Sequence, residues 1–370
     1  MSVGMFRADQ LGSLLRPDHL IEAREAFSAG RIDAEVLGKI EDDAVLQAME
    51  AQQRCGIHVF VDGEFRRTGF MTNLADNVDG FERSALKGQQ WKGGANAQPP
   101  SPNIRVVDGK LRPKKRLCGR DAEFLREHAP GPFKITLPSP SNFGMLSWRA
   151  GISDSAYPTR SEMVVDIARI VADEANKLAQ EGVPYIQIDS PVYTHWADDS
   201  LVTKYRNAGI DLEELLTDGI AADNLILDAA RSGGAVTGLH LCRGNSMGRW
   251  MAEGGYDRLA ERLFDEIRCD RWLLEYDSDR AGTFEPLRLM PRDKIVVLGL
   301  ITTKSGSLER RDDILRRIDE ASQFVPLERL ALSPQCGFAS SGRGNPLTQD
   351  EQWDKLRLVA SLADEVWGND

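Results

Sequence analysis

The sequence lacks most of what a disulfide-bonded, membrane-embedded or nucleic-acid-binding chain requires. Its five cysteines are odd in number and without regular spacing. They offer no disulfide framework, and the thiols are expected to be reduced. No apolar run approaches the length of a membrane span, and Met1–Gln10 has no signal-peptide layout. Both absences point to a cytoplasmic protein with no membrane partner. Basic residues are outnumbered 46 to 57, a net charge of −11, so a nucleic-acid partner has no electrostatic support. No Gly-x-Gly-x-x-Gly fingerprint or phosphate loop opens a helix, which counts against nucleotide binding.

What is present is an alternation of strands and helices. At 370 residues the chain suits one large α/β barrel or two ordinary domains. Met5–Ser13 reads as a short first strand ending in a Gly-Ser turn, followed by a helix from Pro17 and a longer one over Asp33–Arg54. Ile57–Asp62 is a buried-strand run closed by Gly63-Glu64. From Phe133 the rhythm is regular: strands at Phe133–Leu137, Tyr185–Asp189, Ala235–Leu241, Trp272–Glu275, Lys294–Leu300 and Leu330–Ser333. Helices fall between them at Arg160–Gln180, Leu212–Arg231, Trp250–Ile267 and Glu309–Ser322, and Asp350–Val366 closes the chain. Eight strands with intervening helices predict a (β/α)₈ TIM barrel, against the competing doubly wound open sheet. The expected organisation is one domain over 1–370, with a polar insertion at about 81–120 carrying a hairpin turned at Asp108-Gly109.

In such a barrel, reactive residues stand where strands end. His240 and Cys242 share one face of a strand running out into a loop, because strand side chains repeat every two residues. An imidazole beside a thiol makes two legs of a zinc site. The other strand ends supply Gly12-Ser13, Glu64, Asp189, Glu275 and Cys336. Two thiols, an imidazole and three carboxylates, Glu64, Asp189 and Glu275, would thus face one mouth, where Zn²⁺ could be held. Each has a plainer reading: alone, His240 or Cys242 would be a packed core residue, and Glu64 a salt-bridge partner of Arg66 or Arg67. Cys55, Cys118 and Cys269 show no partner pattern, and His58, His128 and His195 no ligand spacing, though His195 could line the mouth.

The order His240-x-Cys242, Leu274-Glu275 and Pro334-x-Cys336-Gly337 resembles the zinc site of the cobalamin-independent methionine synthase family, catalytic half. Tyr185–Asp189 resembles that family's strand ending in the acid that holds the homocysteine amino group. Gly63-Glu64 is similar to its second such acid, and Gly12-Ser13 to the turn that receives the carboxylate. The resemblance implies a short, single-barrel member with Gly12, Ser13, Glu64 and Asp189 binding substrate. Three stretches depart from the family pattern. Asp189-Ser190-Pro191 stands for Asp-Glu-Pro, Ile301-Thr302 for a His-Ser pair that supplies a proton, and Ser139-Pro140-Ser141 for a folate-stacking Asn-Trp region. No general acid is identified.

The ligand types fit thiol chemistry. A free thiol with pKa of about 8.5 is mostly protonated at neutral pH, whereas Zn²⁺ binds the thiolate. Cysteinate-rich ligands leave a bound sulfur electron-rich, while sites that make hydroxide lean on neutral imidazoles. The expected function is thus a zinc-dependent thiol alkyltransferase. Its implied reaction is methyl transfer to homocysteine, in the manner of 5-methyltetrahydropteroyltriglutamate–homocysteine S-methyltransferase. The alternatives are a sibling using another electrophile, as in an epoxyalkane:coenzyme M transferase, a zinc hydrolase, or a structural zinc protein. Its partners would be a small-molecule thiol and a methyl donor; homo-oligomerisation stays open.

Overall fold

Six parallel strands frame the molecule in this computed structural model, which describes residues 6–83, 91–93, 105–342 and 344–368. In chain order the elements are α1 (Asp18–Ser28), α2 (Ala34–Cys55), α3 (Thr72–Asn77), β1 (Val78–Arg83), β2 (Arg105–Pro113) and α4 (Gly119–His128). There follow β3 (Lys134–Pro138), α5 (Pro140–Leu146), α6 (Arg160–Gln180), β4 (Tyr185–Asp189), α7 (Asp199–Asn207), α8 (Leu212–Ser232) and β5 (Val236–Leu241). The chain closes with α9 (Ala260–Glu266), β6 (Arg271–Glu275), β7 (Ile295–Ile301), α10 (Arg311–Ser322), β8 (Leu330–Pro334) and α11 (Gln349–Trp367). Strands β3 to β8 lie side by side in sequence order. Every residue in them is buried. That is the expected state of a parallel sheet with helices on one face and its own interior on the other.

Two segments close the sheet into a barrel. Ala8 bridges in parallel to Leu332 of β8, and Phe60 to Phe133 just ahead of β3. The His58 amide donates to the Ala8 carbonyl at 3.2 Å, joining the two segments to each other. Among the described residues, the strands expected at Met5–Ser13, of which residue 5 lies outside them, and at Ile57–Asp62 exist only as short bridging stretches. Each keeps its neighbours for a few hydrogen bonds before the chain turns outward.

Side chains alternate between two cores. Ile186, Ile188, Leu239, Leu241, Trp272, Leu274, Val296 and Leu298 face the helices within one large apolar cluster. Leu11, Leu273, Ile295, Val297 and Ala331 form a separate cluster inside the barrel. Below it, Phe6, Val59, Tyr185 and Val236 pack together, with Phe6 and Tyr185 stacked at 5.4 Å. Burying each such large apolar side chain stabilises the fold by about 1.5–3 kcal/mol.

Two local expectations are corrected. Asp108-Gly109 does not turn a hairpin: it lies within the continuous strand β2, which pairs antiparallel with β1. The register jumps there, from Asp79 opposite Arg112 to Phe81 opposite Val107, so the glycine serves a bulge. A Cβ on Gly80 would sit 2.7 Å from the Gly109 carbonyl oxygen, so the two backbones touch. Residues 84–90 and 94–104 of the expected insertion lie outside the described residues. Nor is Trp250–Ile267 one helix, since only Ala260–Glu266 is helical. Gly254, at φ 123, cannot belong to a right-handed helix, and Trp250 pairs instead with Lys92 of the insertion.

Packing at Gly299 in β7 offers a test of the barrel wall. A Cβ there would meet the Leu274 carbonyl oxygen at 2.8 Å and the Gln335 Cα at 3.0 Å, both backbone atoms. Gly299→Ala should lower stability by about 1–3 kcal/mol through overpacking. Urea denaturation with unchanged midpoint would refute this.

Candidate metal and substrate site

The sheet register sets the site. Asp189 on β4 pairs with His240 on β5, and Leu241 with Leu274 on β6, so these strand ends lie at one level. Cys242 follows the end of β5, and Cys336 follows β8. The His240 Nδ1 lies 3.1 Å from the Leu273 carbonyl oxygen, which can only accept, so Nδ1 carries the proton. That leaves the lone pair on Nε2, a buried atom with no hydrogen-bond partner. The Cys242 and Cys336 sulfurs stand 3.7 Å apart. The ligand atoms of His240, Cys242 and Cys336 all lie within 4.8 Å of one another.

These residues fit zinc. Two thiolates on a tetrahedral zinc with Zn–S near 2.3 Å would stand about 3.8 Å apart, and an imidazole with its other nitrogen tied to a carbonyl is preset as a ligand. The hydrogen bond between the two sulfurs lowers the pKa of one thiol, Cys336, well below its usual range and raises that of the other, Cys242. One of the two sulfurs is thereby poised as the thiolate.

Glu275 stands apart from this group. Its Oε1 accepts from Arg280 at 2.8 and 2.9 Å, and its Oε2 from the Arg243 amide at 2.7 Å and Gln335 at 3.2 Å. Burial alone would raise its pKa, but Lys304, Arg243 and Arg280 bring it down to about 2. It does not line the adjoining cavity.

That cavity has a volume of about 140 Å³ and joins the sulfur cluster to Ser13, Glu64 and Asp189. Glu64 is buried and takes φ 57, an unusual backbone for a residue with a side chain. Thr136 donates to its Oε1 at 2.8 Å, Arg67 lies 3.8 Å away, and Oε2 has no partner. Arg66 is committed elsewhere, to Asp42 and Asp121. Burial raises the pKa of Glu64 and pushes Asp189 up to about 7, against the pull of His240. Two buried carboxyls facing one cavity favour a cation between them. Gly12 backs this wall at φ 114, where a Cβ would lie 2.9 Å from Glu64 Oε1. A Cβ on Gly337 would come within 2.0 Å of Ser13 Oγ, so the approach of these two loops needs glycine.

Several lining residues were not singled out from sequence. Asn245 donates to the Gly337 carbonyl at 2.7 Å, Asn142 to the Asp189 carbonyl at 2.8 Å, and Trp91 reaches in from the insertion. Loop residues of this kind carry no periodic signal. His195 also lines the cavity, with Nδ1 2.9 Å from the Tyr205 hydroxyl, and burial lowers its pKa to about 4. Thr302, Thr303 and Lys304, beyond β7, do not line it.

Fold and site together define an α/β barrel with a sulfur–nitrogen donor set beside a small acidic cavity at its mouth. The profile of the cobalamin-independent synthase catalytic domain matches residues 8–363. The chain belongs to that family, whose members are methionine synthase-like methyltransferases. It is 37% identical over 366 residues to the Bacillus subtilis protein YxjG, covering 98% of this chain and 95% of the relative. It is 23% identical to methionine synthase of Pyrococcus abyssi, over 91% of this chain and 88% of that one. Among solved structures, a putative vitamin-B12-independent methionine synthase from Listeria monocytogenes superposes with TM-score 0.72 at 28% identity, covering 98% of both chains. A Shewanella B12-independent methionine synthase in complex with selenomethionine gives TM-score 0.73 at 22% identity, again over 98% of both chains, a likeness of fold. The TIM-barrel expectation is thus met in a parallel α/β barrel. No helix among the described residues is long and apolar enough to cross a membrane.

Cys242→Ser and Cys336→Ser should each lose most bound zinc while the protein stays folded, because the large core does not depend on the metal. Metal analysis alongside circular dichroism checks this; full zinc occupancy in both variants would refute the assignment.

Proposed function

We propose that the chain is a zinc-dependent thiol alkyltransferase that methylates homocysteine to methionine. One observation carries the reading: His240, Cys242 and Cys336 share a cavity with two buried carboxyls, Glu64 and Asp189. Bound zinc would take the substrate sulfur as a thiolate and keep it nucleophilic at neutral pH. His240, Cys242 and Cys336 would hold the metal. Glu275 is proposed as the fourth ligand, and to serve it must leave Arg280. Glu64 and Asp189 would grip the substrate ammonium as charge-assisted hydrogen bonds, with Ser13 turned to its carboxylate and Gly12 allowing the close approach. The cavity is small and mostly walled by protein, so the thiol end and the amino-acid end of one short substrate can be held at once. A zinc hydrolase fits less well, because two sulfur donors do not favour metal-bound hydroxide.

X-ray absorption at the zinc edge, with and without homocysteine, tests thiol binding directly. An added sulfur neighbour is expected, and an unchanged shell would refute the proposal. Asp189→Asn should raise KM for homocysteine far more than for a thiol lacking the amine. Equal effects on both thiols would rule out the amine clamp.

The donor is the finer point. Transfer from a tertiary amine such as methyltetrahydrofolate needs its leaving nitrogen protonated, and a placed general acid contributes about 10²–10⁴-fold. Ile301 is buried in the barrel wall, Thr302, Thr303 and Lys304 do not line the cavity, and burial keeps His195 neutral at pH 7. We therefore propose a more activated methyl donor, a methylated corrinoid or a sulfonium; a strained ring such as an epoxide would instead give a hydroxyalkyl thioether, the sibling reaction. Side-by-side turnover of homocysteine with each donor checks this. Methyltetrahydropteroyl-polyglutamate matching the activated donors would overturn it.

A further inference from the structure

Beneath the cavity, the barrel interior holds a buried ionic chain that the chemistry above does not use. Asp9, Lys134 and Arg271 are fully buried. Lys134 Nζ donates to Asp9 Oδ1 at 2.7 Å and to the Gln10 carbonyl. Arg271 reaches the Phe6 carbonyl at 2.7 Å and Asp9 Oδ2 at 3.4 Å, and the Tyr185 hydroxyl lies 3.3 Å from Asp9 Oδ2. Two cations around one carboxylate leave this cluster with a formal charge of +1.

Gln187 connects the cluster to the cavity. It lies two residues before Asp189 on β4, so both side chains point into the barrel. Its Oε1 accepts from Lys134 Nζ at 2.7 Å. Its Nε2 donates to Asp189 Oδ1 at 2.6 Å and to the Leu11 carbonyl at 3.1 Å. The partners fix which end is which: an ammonium can only donate, and a main-chain carbonyl can only accept. A flipped amide would set its NH₂ against the Lys134 ammonium and its oxygen against a carboxylate and a carbonyl.

We infer that Gln187 is a positioning residue for substrate recognition: locked in one orientation by Lys134, it holds Asp189 by one oxygen and directs the carboxylate at the substrate amine. This rests on the amine-clamp reading of Asp189. The physical case is that a buried carboxyl group with no fixed donor is free to turn, and a turned group no longer presents its second oxygen to an incoming ammonium. The donor on Oδ1 fixes the plane of the carboxyl group and leaves Oδ2 for the substrate.

The test is calorimetric titration of the zinc-loaded protein with L-homocysteine and with 4-mercaptobutyrate, which is the same molecule without the amine. Wild type, Gln187→Met and Asp189→Asn are compared, with zinc content and melting temperature measured for each. Gln187→Met should weaken L-homocysteine binding by roughly 10- to 100-fold, the loss expected for a hydrogen bond to a charged group. Binding of 4-mercaptobutyrate and zinc content should stay as in wild type. Equal weakening of both thiols, or of neither, in Gln187→Met overturns the inference. If Asp189→Asn discriminates between the thiols and Gln187→Met does not, only the positioning role fails. If Asp189→Asn does not discriminate, the amine clamp fails and this inference with it. Should Gln187→Met not fold, Gln187→Asn takes its place: it keeps an amide inside the barrel but is one methylene too short to span Lys134 and Asp189.

Discussion

Parallel pairing in register is the constraint on which the site depends. Pro138, Asp189 and His240 stand opposite one another along β3, β4 and β5, while Glu275 faces Gly299 and Gly299 faces Ser333. Each strand therefore ends at nearly the same height, and the residues just beyond open onto one mouth. Side chains alternate strictly along a strand, so a slip of one residue would turn Asp189 and His240 into the helical layer. The closed barrel resists such a slip because its inner and outer faces are both filled. The inner apolar layer of Leu273, Val297 and Ala331 and the ionic cluster around Asp9 have no room in the outer shell.

The cavity has two chemically different ends. At one end, two sulfurs and an imidazole nitrogen converge, with the nitrogen preset by the Leu273 carbonyl. At the other, burial raises two carboxyls that would be ordinary acids in water. Glu275 shows how tightly the surroundings govern such groups. It is just as buried, yet Arg280, Arg243 and Lys304 hold it as a carboxylate. Neighbouring cations, rather than depth, separate its behaviour from that of Asp189.

The loops that follow β3 and β4 interact with each other. Ser190, after β4, lies 2.8 Å from the Ser141 hydroxyl, and Ser141 lies 2.6 Å from Ser139. Ser139 donates to Asp223 on α8 at 2.6 Å, and the Tyr193 hydroxyl donates to the other Asp223 oxygen at 2.7 Å. Burial raises the Asp223 carboxyl to about 7 against these two donors. Small hydroxyls in both loops thus form one buried network, and changing either loop alone would leave polar groups without partners. The two loops form a connected structural unit beside the cavity.

The strand–helix rhythm from Phe133 onward was legible because buried parallel strands are short apolar runs and the covering helices carry a 3.6-residue period. Asp189, His240, Cys242 and Cys336 could be picked out as strand-end residues for the same reason. The first two strands were overestimated: an apolar run such as Ile57–Val61 records burial, and burial does not say how many hydrogen bonds a segment makes. Asp108-Gly109 misled because a glycine that can turn a hairpin can equally serve a bulge, and only the partner strand decides. The Gln187–Lys134 contact, the Arg280 grip on Glu275 and the serine network were invisible in the chain order. Each joins residues from separate strands or loops through hydrogen bonds a few ångströms long. Residue types and periodicity settle which side chains are buried and which strand ends they occupy. Which buried donor meets which acceptor is decided only when the barrel closes and every polar group inside must find a partner.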